Sequence, residues 1–413
     1  MRINIERLMS DIERYALYGA DSQGGITRPS FSEDDYNVRE RFVRDLREMG
    51  LSIVIDGAAN IWGKRLGNGQ KEGSIVIGSH LDTVTNGGKY DGALGVLAAM
   101  EIVRTLKEHD VVLQHDLEIV SFTAEEPNDY NISTLGSRSF VGRLTPDDLK
   151  GVTDSNGMRL EDSLERAGGG LHKFIGMADA RKEKKVFVEL HIEQGRRLAV
   201  RDISVAVVDR IVGIYRDKVT VTGEANHAGT TMMADRYDAL TAAAEMVLAV
   251  EDVCCHTGDD TVGTVGKLNV IPNAANIVPG QVEFILEVRG ETEKQIKQVL
   301  DVVGSRWETI QRRRKVSVTR NNILNQKPVP MDQHVVKILQ QTADELSLPY
   351  VTLASMAGHD ASHMAHVAKT AMIFVKSPNG KSHCPEEYSA PEDIEKAVNL
   401  MLRGIVNLDR DLA

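Results

Sequence analysis

Short apolar runs alternating with helix-period stretches fill the first part of the chain. Residues 74–77, Ser-Ile-Val-Ile, form a continuous apolar and β-branched run that predicts a buried strand, whereas residues 93–106 carry apolar positions at helical spacing. Residues 117–122 and 186–192 repeat the strand pattern, residues 1 to 70 read as helices plus a strand, and residues 127–180 are polar, with a helical piece at 160–167. Strand and helix in alternation predict a largely parallel sheet with helices on its faces. From residue 213 the pattern changes. Residues 218–222 alternate as a strand, 237–253 are helical, 261–270 and 281–288 alternate again, 293–310 are helical and 316–318 form a short strand. The order β-α-β-β-α-β describes a ferredoxin-like layer. After Gln326-Lys327-Pro328-Val329-Pro330 the first rhythm returns, with a buried strand at 371–375. The expected fold is therefore α/β: a discontinuous domain, residues 1–211 and 325–413, with a mostly parallel mixed sheet flanked by helices, interrupted by a small α+β domain over 212–324.

A length of 413 residues exceeds what a single core usually fills, which agrees with two domains. The net charge of -11 argues against a nucleic-acid partner, since phosphate binding relies on clustered Lys and Arg. The basic run Arg312-Arg313-Arg314-Lys315 falls at a helix end, where the dipole favours a solvated cationic cluster. No apolar block suits a signal peptide or a membrane span, so a cytoplasmic protein without a membrane partner is expected. Three cysteines suit a reducing compartment, and the adjacent Cys254 and Cys255 are expected to pack in a helix.

Chemistry enters where the apolar strands end. His80 follows one strand, Glu125-Glu126 another, His191 closes a third and His383 follows a fourth; Asp91 sits where the helix after His80 begins. Imidazoles and carboxylates gathered at the carboxyl edge of an α/β sheet predict a divalent metal site. Five groups, His80, Asp91, Glu126, His191 and His383, exceed the three protein ligands of one open catalytic zinc and suit two ions bridged by Asp91. Such a pair would stabilise hydroxide near neutral pH, with Glu125 free to act as general base. Asp82, two residues beyond His80, is placed to hold the other ring nitrogen of that histidine.

Several stretches carry a resemblance over essentially the whole length: Gly24-Gly25-Ile26-Thr27-Arg28, Gly78-Ser79-His80-Leu81-Asp82-Thr83, Asn86-Gly87-Gly88-Lys89-Tyr90-Asp91-Gly92, Glu125-Glu126, Gly136-Ser137-Arg138, Glu189-Leu190-His191-Ile192-Glu193-Gln194-Gly195, Asn226-His227-Ala228-Gly229-Thr230-Thr231, Gly358-His359-Asp360-Ala361 and Ser382-His383. With these the chain resembles the binuclear metallo-amidohydrolases that include N-carbamoyl-L-amino-acid hydrolase, allantoate amidohydrolase and bacterial β-ureidopropionase, within the aminoacylase-like metallopeptidases. The resemblance implies the same five metal ligands and Glu125 as acid and base. It adds His227 as stabiliser of the oxyanion, Asn276 and Arg289 as binders of the substrate carboxylate, and Gln194, Gly358 and His359 as further substrate contacts. It also implies that the inserted domain closes over the substrate and forms a homodimer contact. Three departures stand out: Pro127-Asn128-Asp129-Tyr130 places an acid where relatives carry Arg, Met232 replaces a usual Pro, and Met356 a usual Gly.

The expected activity is metal-dependent hydrolysis of the carbamoyl C–N bond of a small carboxylate-bearing molecule, an N-carbamoyl-L-amino acid first and allantoate second. An aminoacylase or dipeptidase, and an inactive metal- or ligand-binding protein on the same scaffold, are the alternatives. The cofactors expected are two divalent ions per subunit, zinc or manganese, with cobalt and nickel possible within the same donor chemistry.

Overall fold

The computed structural model describes residues 1–258 and 261–412. Its strands, in chain order, are β1 Ser52–Ile55, β2 Ile61–Arg65, β3 Ser74–His80, β4 Asp116–Phe122, β5 Lys184–Ile192, β6 Val205–Ile211, β7 Gly213–Thr222, β8 Asn226–His227, β9 Thr261–Ile271, β10 Ile277–Val278, β11 Gln281–Gly290, β12 Ser317–Gln326, β13 Val329–Pro330, β14 Tyr350–Ser355 and β15 Lys369–Val375. They divide between two compact units: Met1–Asp209 with Pro330–Leu353 and Gly358–Ala413, and Arg210–Val329 with Ala354–Ala357. The sequence reading put these limits at 212 and 324.

The first unit is built on a mixed sheet in the order β1-β2-β4-β3-β5-β15-β6-β13, with β14 beside β6. Its centre, β4-β3-β5-β15, is parallel, and β2 and β6 add to it antiparallel. Parallel strands are covered on both faces, which is why all seven positions of β3 are buried and its sequence shows no alternation. The helix Ala93–Glu108 packs against β3 and β5 and is apolar nearly all round, with thirteen of its sixteen residues buried. At the far end of the chain the helix Pro391–Asp411 buries Ile394, Ala397, Val398, Leu402 and Ile405.

The second unit is a four-stranded antiparallel sheet, β12-β7-β11-β9. Helices Ala239–Cys255 and Glu293–Arg314 pack on it. Every second residue of β11 faces these helices, so Val282, Phe284, Leu286 and Val288 join Val219, Val221, Met246, Val303 and Trp307 in one core. Phe284 and Trp307 meet edge to face at 5.6 Å, and the Trp307 indole donates to the Met246 carbonyl at 3.0 Å. Asp238 and Thr292 cap the two helices, each side chain accepting from first-turn N–H groups.

Two expectations need correction, on β12 and on Cys255. β12 runs ten residues rather than three, because it is an edge strand whose exposed run Thr319 to Asn322 is polar and breaks any apolar alternation. The basic run does close a helix and stays solvated, with the exposed Arg313 and the partly exposed Arg314 also pairing with Glu245. Of the adjacent cysteines only Cys254 is partly buried; Cys255 is exposed, because successive helix residues point about a quarter-turn apart.

Candidate metal centre

β3 delivers His80 at its last residue, the turn after it delivers Asp91, and β5 delivers His191. Asp91 Oδ1 lies 3.1 Å from His191 Nε2 and 3.9 Å from His80 Nε2. Its other oxygen, Oδ2, lies 3.2 Å from His383 Nε2, and that nitrogen is 3.3 Å from Glu126 Oε1. One carboxylate thus stands between two sets of donors, His80 with His191 on one side and Glu126 with His383 on the other, each compact enough to hold an ion.

The ring orientations suit metal binding. His80 Nδ1 lies 3.0 Å from the Asp82 carbonyl and His191 Nδ1 3.0 Å from the Ile192 carbonyl, so each Nδ1–H donates to backbone and each Nε2, the nitrogen a metal would take in place of a proton, is turned toward Asp91. The Asp82 carboxylate was expected on the His80 ring, but its Oδ1 is 3.7 Å away. It accepts instead from the backbone N–H of Glu126 at 3.1 Å and from Ser30 Oγ at 2.8 Å. Asp82 therefore ties the two strand ends that carry His80 and the paired glutamates.

Gly92 shows how tight this turn is. Its φ is +61°, and a Cβ there would fall 2.3 Å from the His80 ring. Ala124, Gln194 and His383 also adopt left-handed backbone around the site.

Among the described residues, the ion-pair partners of Asp91, Glu125 and Glu126 are histidines. Burial would raise the Asp91 pKa, but hydrogen bonds from His191 and His383 hold it well below the usual carboxylate range. Burial opposes charge on His191, yet the hydrogen bond and charge of Asp91 push it up to about 9. Hydrogen bonds to Asp91 and Glu126 take the half-exposed His383 up to about 10. Glu125 Oε2 lies 3.8 Å from His80 Nε2. Burial, then the charges of Glu126, Asp360, Asp82 and Asp91, push Glu125 well above its ordinary value. Excess negative charge draws protons onto the site's own imidazoles and onto Glu125, and the donor set therefore fits divalent cations at the positions those protons neutralise.

The remaining predicted residues fall as follows. Gln194 Nε2 donates to Asp91 Oδ2 at 3.0 Å, which places it on the carboxylate between the two sets of donors. Gly358 precedes His359, a buried ring 4.5 Å from that of His191; burial, with the nearby His191, holds it well below its ordinary pKa. Glu189, not among the predicted ligands, lies with His191 and His359 in a third group of donors and accepts from Ser79 Oγ at 2.7 Å and Ala361 N at 2.9 Å.

His227, Asn276 and Arg289 belong to the second unit. There β8 pairs with β10 so that His227 sits opposite Ile277, and Ala228 N donates to the Asn276 carbonyl at 3.0 Å. The N–H groups of Gly229 and Thr230 both donate to His227 Nδ1, at 3.0 and 3.1 Å, which leaves the ring proton on the exposed Nε2. Arg289 is fixed by Glu287 Oε1 at 2.7 Å and the Met356 carbonyl at 2.7 Å.

Two further residues buttress the site, Arg28 from a quoted motif and Glu387 from outside the motifs. Arg28 is 1% exposed and donates to the carbonyls of Leu81, Tyr15 and Tyr18, clamping the loop after His80. Glu387 lies behind Asp91, and the close packing of Gly88 against it is the one trace it leaves in the neighbouring motif.

The model for peptidase family M20/M25/M40 matches residues 76–407. An N-carbamoyl-L-amino acid amidohydrolase of Geobacillus stearothermophilus is 37% identical over 403 residues, covering 98% of both chains. An allantoate amidohydrolase of Bacillus subtilis is 32% identical, covering 97% of each. Among solved structures, a hydantoinase/carbamoylase family amidase from Burkholderia multivorans is similar at a TM-score of 0.90 and 29% identity, over 98% of both chains. With the family model spanning most of the chain and full-length relatives above 30% identity, this protein is a hydrolase belonging to peptidase family M20/M25/M40.

Proposed function

We propose that the protein hydrolyses the carbamoyl C–N bond of a small carboxylate-bearing ureido compound, with an N-carbamoyl-L-amino acid as the first choice and allantoate as the second. The carrying observation is the Asp91 carboxylate, one oxygen facing His80 and His191 and the other facing His383 beside Glu126. In this reading His80 and His191 hold one ion, Glu126 and His383 the other, and Asp91 both. Two divalent ions, zinc or manganese, would supply an activated water and polarise the ureido carbonyl.

Glu125, close to His80 and with a raised proton affinity, takes a proton from the attacking water and returns it to the leaving nitrogen. His227 presents Nε2–H, the donor an oxyanion needs, because backbone N–H groups occupy its Nδ1. Arg289, with Nε and Nη1 engaged, has Nη2 for a substrate carboxylate, and Asn276 lies in the turn just before β10, where its carbonyl accepts from Ala228 beside His227. His359, neutral and buried, with Gly358 before it, completes the substrate contacts. A homodimer through the second unit belongs to the same reading, supported by its long edge strands β9 and β12. So does a cytoplasmic location, supported by the three free cysteines.

The test is an ammonia-release screen of the manganese- or zinc-loaded protein over N-carbamoyl-L-amino acids, allantoate, carbamoyl-β-alanine, N-acyl amino acids and dipeptides. Ammonia from a ureido substrate is expected, with Glu125→Gln keeping its metal and losing about 10²–10⁴-fold in rate. Cleavage of acyl compounds alone would make the protein an aminoacylase or dipeptidase. Metal binding with no turnover of any of them would leave a binding protein.

A further inference from the structure

Two loops build the His383 side of the centre, residues 86–92 carrying Asp91 and residues 382–387 carrying His383. They are joined by one buried side chain. Glu387 Oε1 accepts from the backbone N–H groups of Tyr90 at 2.9 Å and Asp91 at 3.0 Å, which fixes the peptide bearing the bridging carboxylate. Its Oε2 lies 2.7 Å from Ser382 Oγ, and that hydroxyl lies 3.1 Å from Asp91 Oδ2. A single carboxylate therefore holds the main chain of Asp91 and the side chain next to His383, whose one hydroxyl proton is shared between Glu387 Oε2 and the Asp91 oxygen that faces His383. Gly88 packs so closely against it that a Cβ there would fall 2.1 Å from Oε1 and 2.4 Å from the Glu387 Cβ. Glu387 is only 5% exposed, has donors on both oxygens and, among the described residues, forms no hydrogen bond or ion pair with His80, His191 or His383.

We infer that Glu387 is the positioning residue for the ion held by Asp91, Glu126 and His383: it sets the distance between the Asp91 loop and the His383 loop. The inference rests on the two-ion reading above. Among the described residues, the half-exposed His383, which has left-handed backbone, forms ion pairs with Asp91 and Glu126, so its placement depends on what anchors its loop. His80 and His191, by contrast, sit on central strands of the sheet and need no such anchor.

Glu387→Ala removes all these ties, whereas Glu387→Gln keeps an oxygen for the two N–H groups and an amide for Ser382. Manganese titration of the metal-free full-length protein, followed by calorimetry, separates the outcomes. The wild type is expected to bind two ions. Glu387→Ala is expected to bind one with wild-type affinity and the other about 10–100-fold more weakly, the usual cost of removing a group that orients a ligand. Glu387→Gln should restore the second ion to within about threefold, and Gly88→Ala, which drives a Cβ into the carboxylate, should lose it as Glu387→Ala does. The ion retained by the alanine variant reports that the sheet is folded. Two ions bound by Glu387→Ala with unchanged affinities would overturn the inference while leaving the two-ion reading intact. A wild type binding fewer than two would overturn the reading, and this inference with it.

Discussion

His363 is a buried imidazole that the proposed chemistry does not use, and its surroundings couple it to acid. Its Nε2 lies 3.0 Å from Thr134 Oγ1. Burial first, then Arg143, Arg138 and His366, push its pKa down to about 3. The unfolded imidazole binds its proton near pH 6.5, so below that pH the unfolded state gains protons that the folded state refuses, and stability falls as the pH drops toward 3. At pH 5 the penalty from this one residue is about 2 kcal/mol. In urea unfolding of the metal-free protein at pH 7 and pH 5, His363→Gln is expected to lose about 2 kcal/mol less than the wild type between the two. Equal losses would show that His363 takes up its proton freely in the folded state. Residues also show best what sequence can and cannot convey. His80, His191 and the paired glutamates were legible because their chemistry is unusual at strand ends. Asp82 was legible as a neighbour but not in its contacts: its backbone carbonyl meets the ring while its carboxylate turns to the glutamate loop. Glu387 was not legible, since a carboxylate among surface-type residues four positions after His383 looks like any solvated acid until the fold brings it to Tyr90 and Asp91.

Elements explain why the ligands arrive where they do. β3, β4, β5 and β15 were legible because strands covered on both faces must be apolar throughout. The edge strands were harder: β1 is half-exposed and β12 mostly exposed, so hydrogen bonding to a neighbour, not an apolar pattern, sets their extent. The turn from β3 into the helix Ala93–Glu108 is the least tolerant element of the site, because Gly92 caps that helix with φ +61° directly against the His80 ring. Gly92→Ala combines left-handed strain with displacement of the His80 ring. It is expected to destabilise the protein by about 1–3 kcal/mol and to weaken one ion at least about tenfold. Thermal unfolding and metal titration check this, and wild-type values in both would contradict the packing described.

At the scale of the whole molecule, the candidate metal ligands His80, Asp91, Glu126, His191 and His383 fall in a mixed α/β unit, and His227, Asn276 and Arg289 in an antiparallel α+β unit. The change of hydrophobic period near residue 213 made that division readable, since a ferredoxin-like layer alternates along its strands where the parallel sheet does not. The departures from the family pattern were legible as residues but not as chemistry. Met356 contributes its carbonyl to Arg289, a role any residue could fill, and Met232 stands 69% exposed. Every functional statement rests on Asp91 bridging two cations. Anomalous X-ray scattering from crystals of the manganese-loaded protein tests this most directly. Two peaks are predicted, one on each side of the Asp91 carboxylate, the first beside His80 and His191 and the second beside Glu126 and His383. A single peak, or peaks that do not share Asp91, would contradict the account.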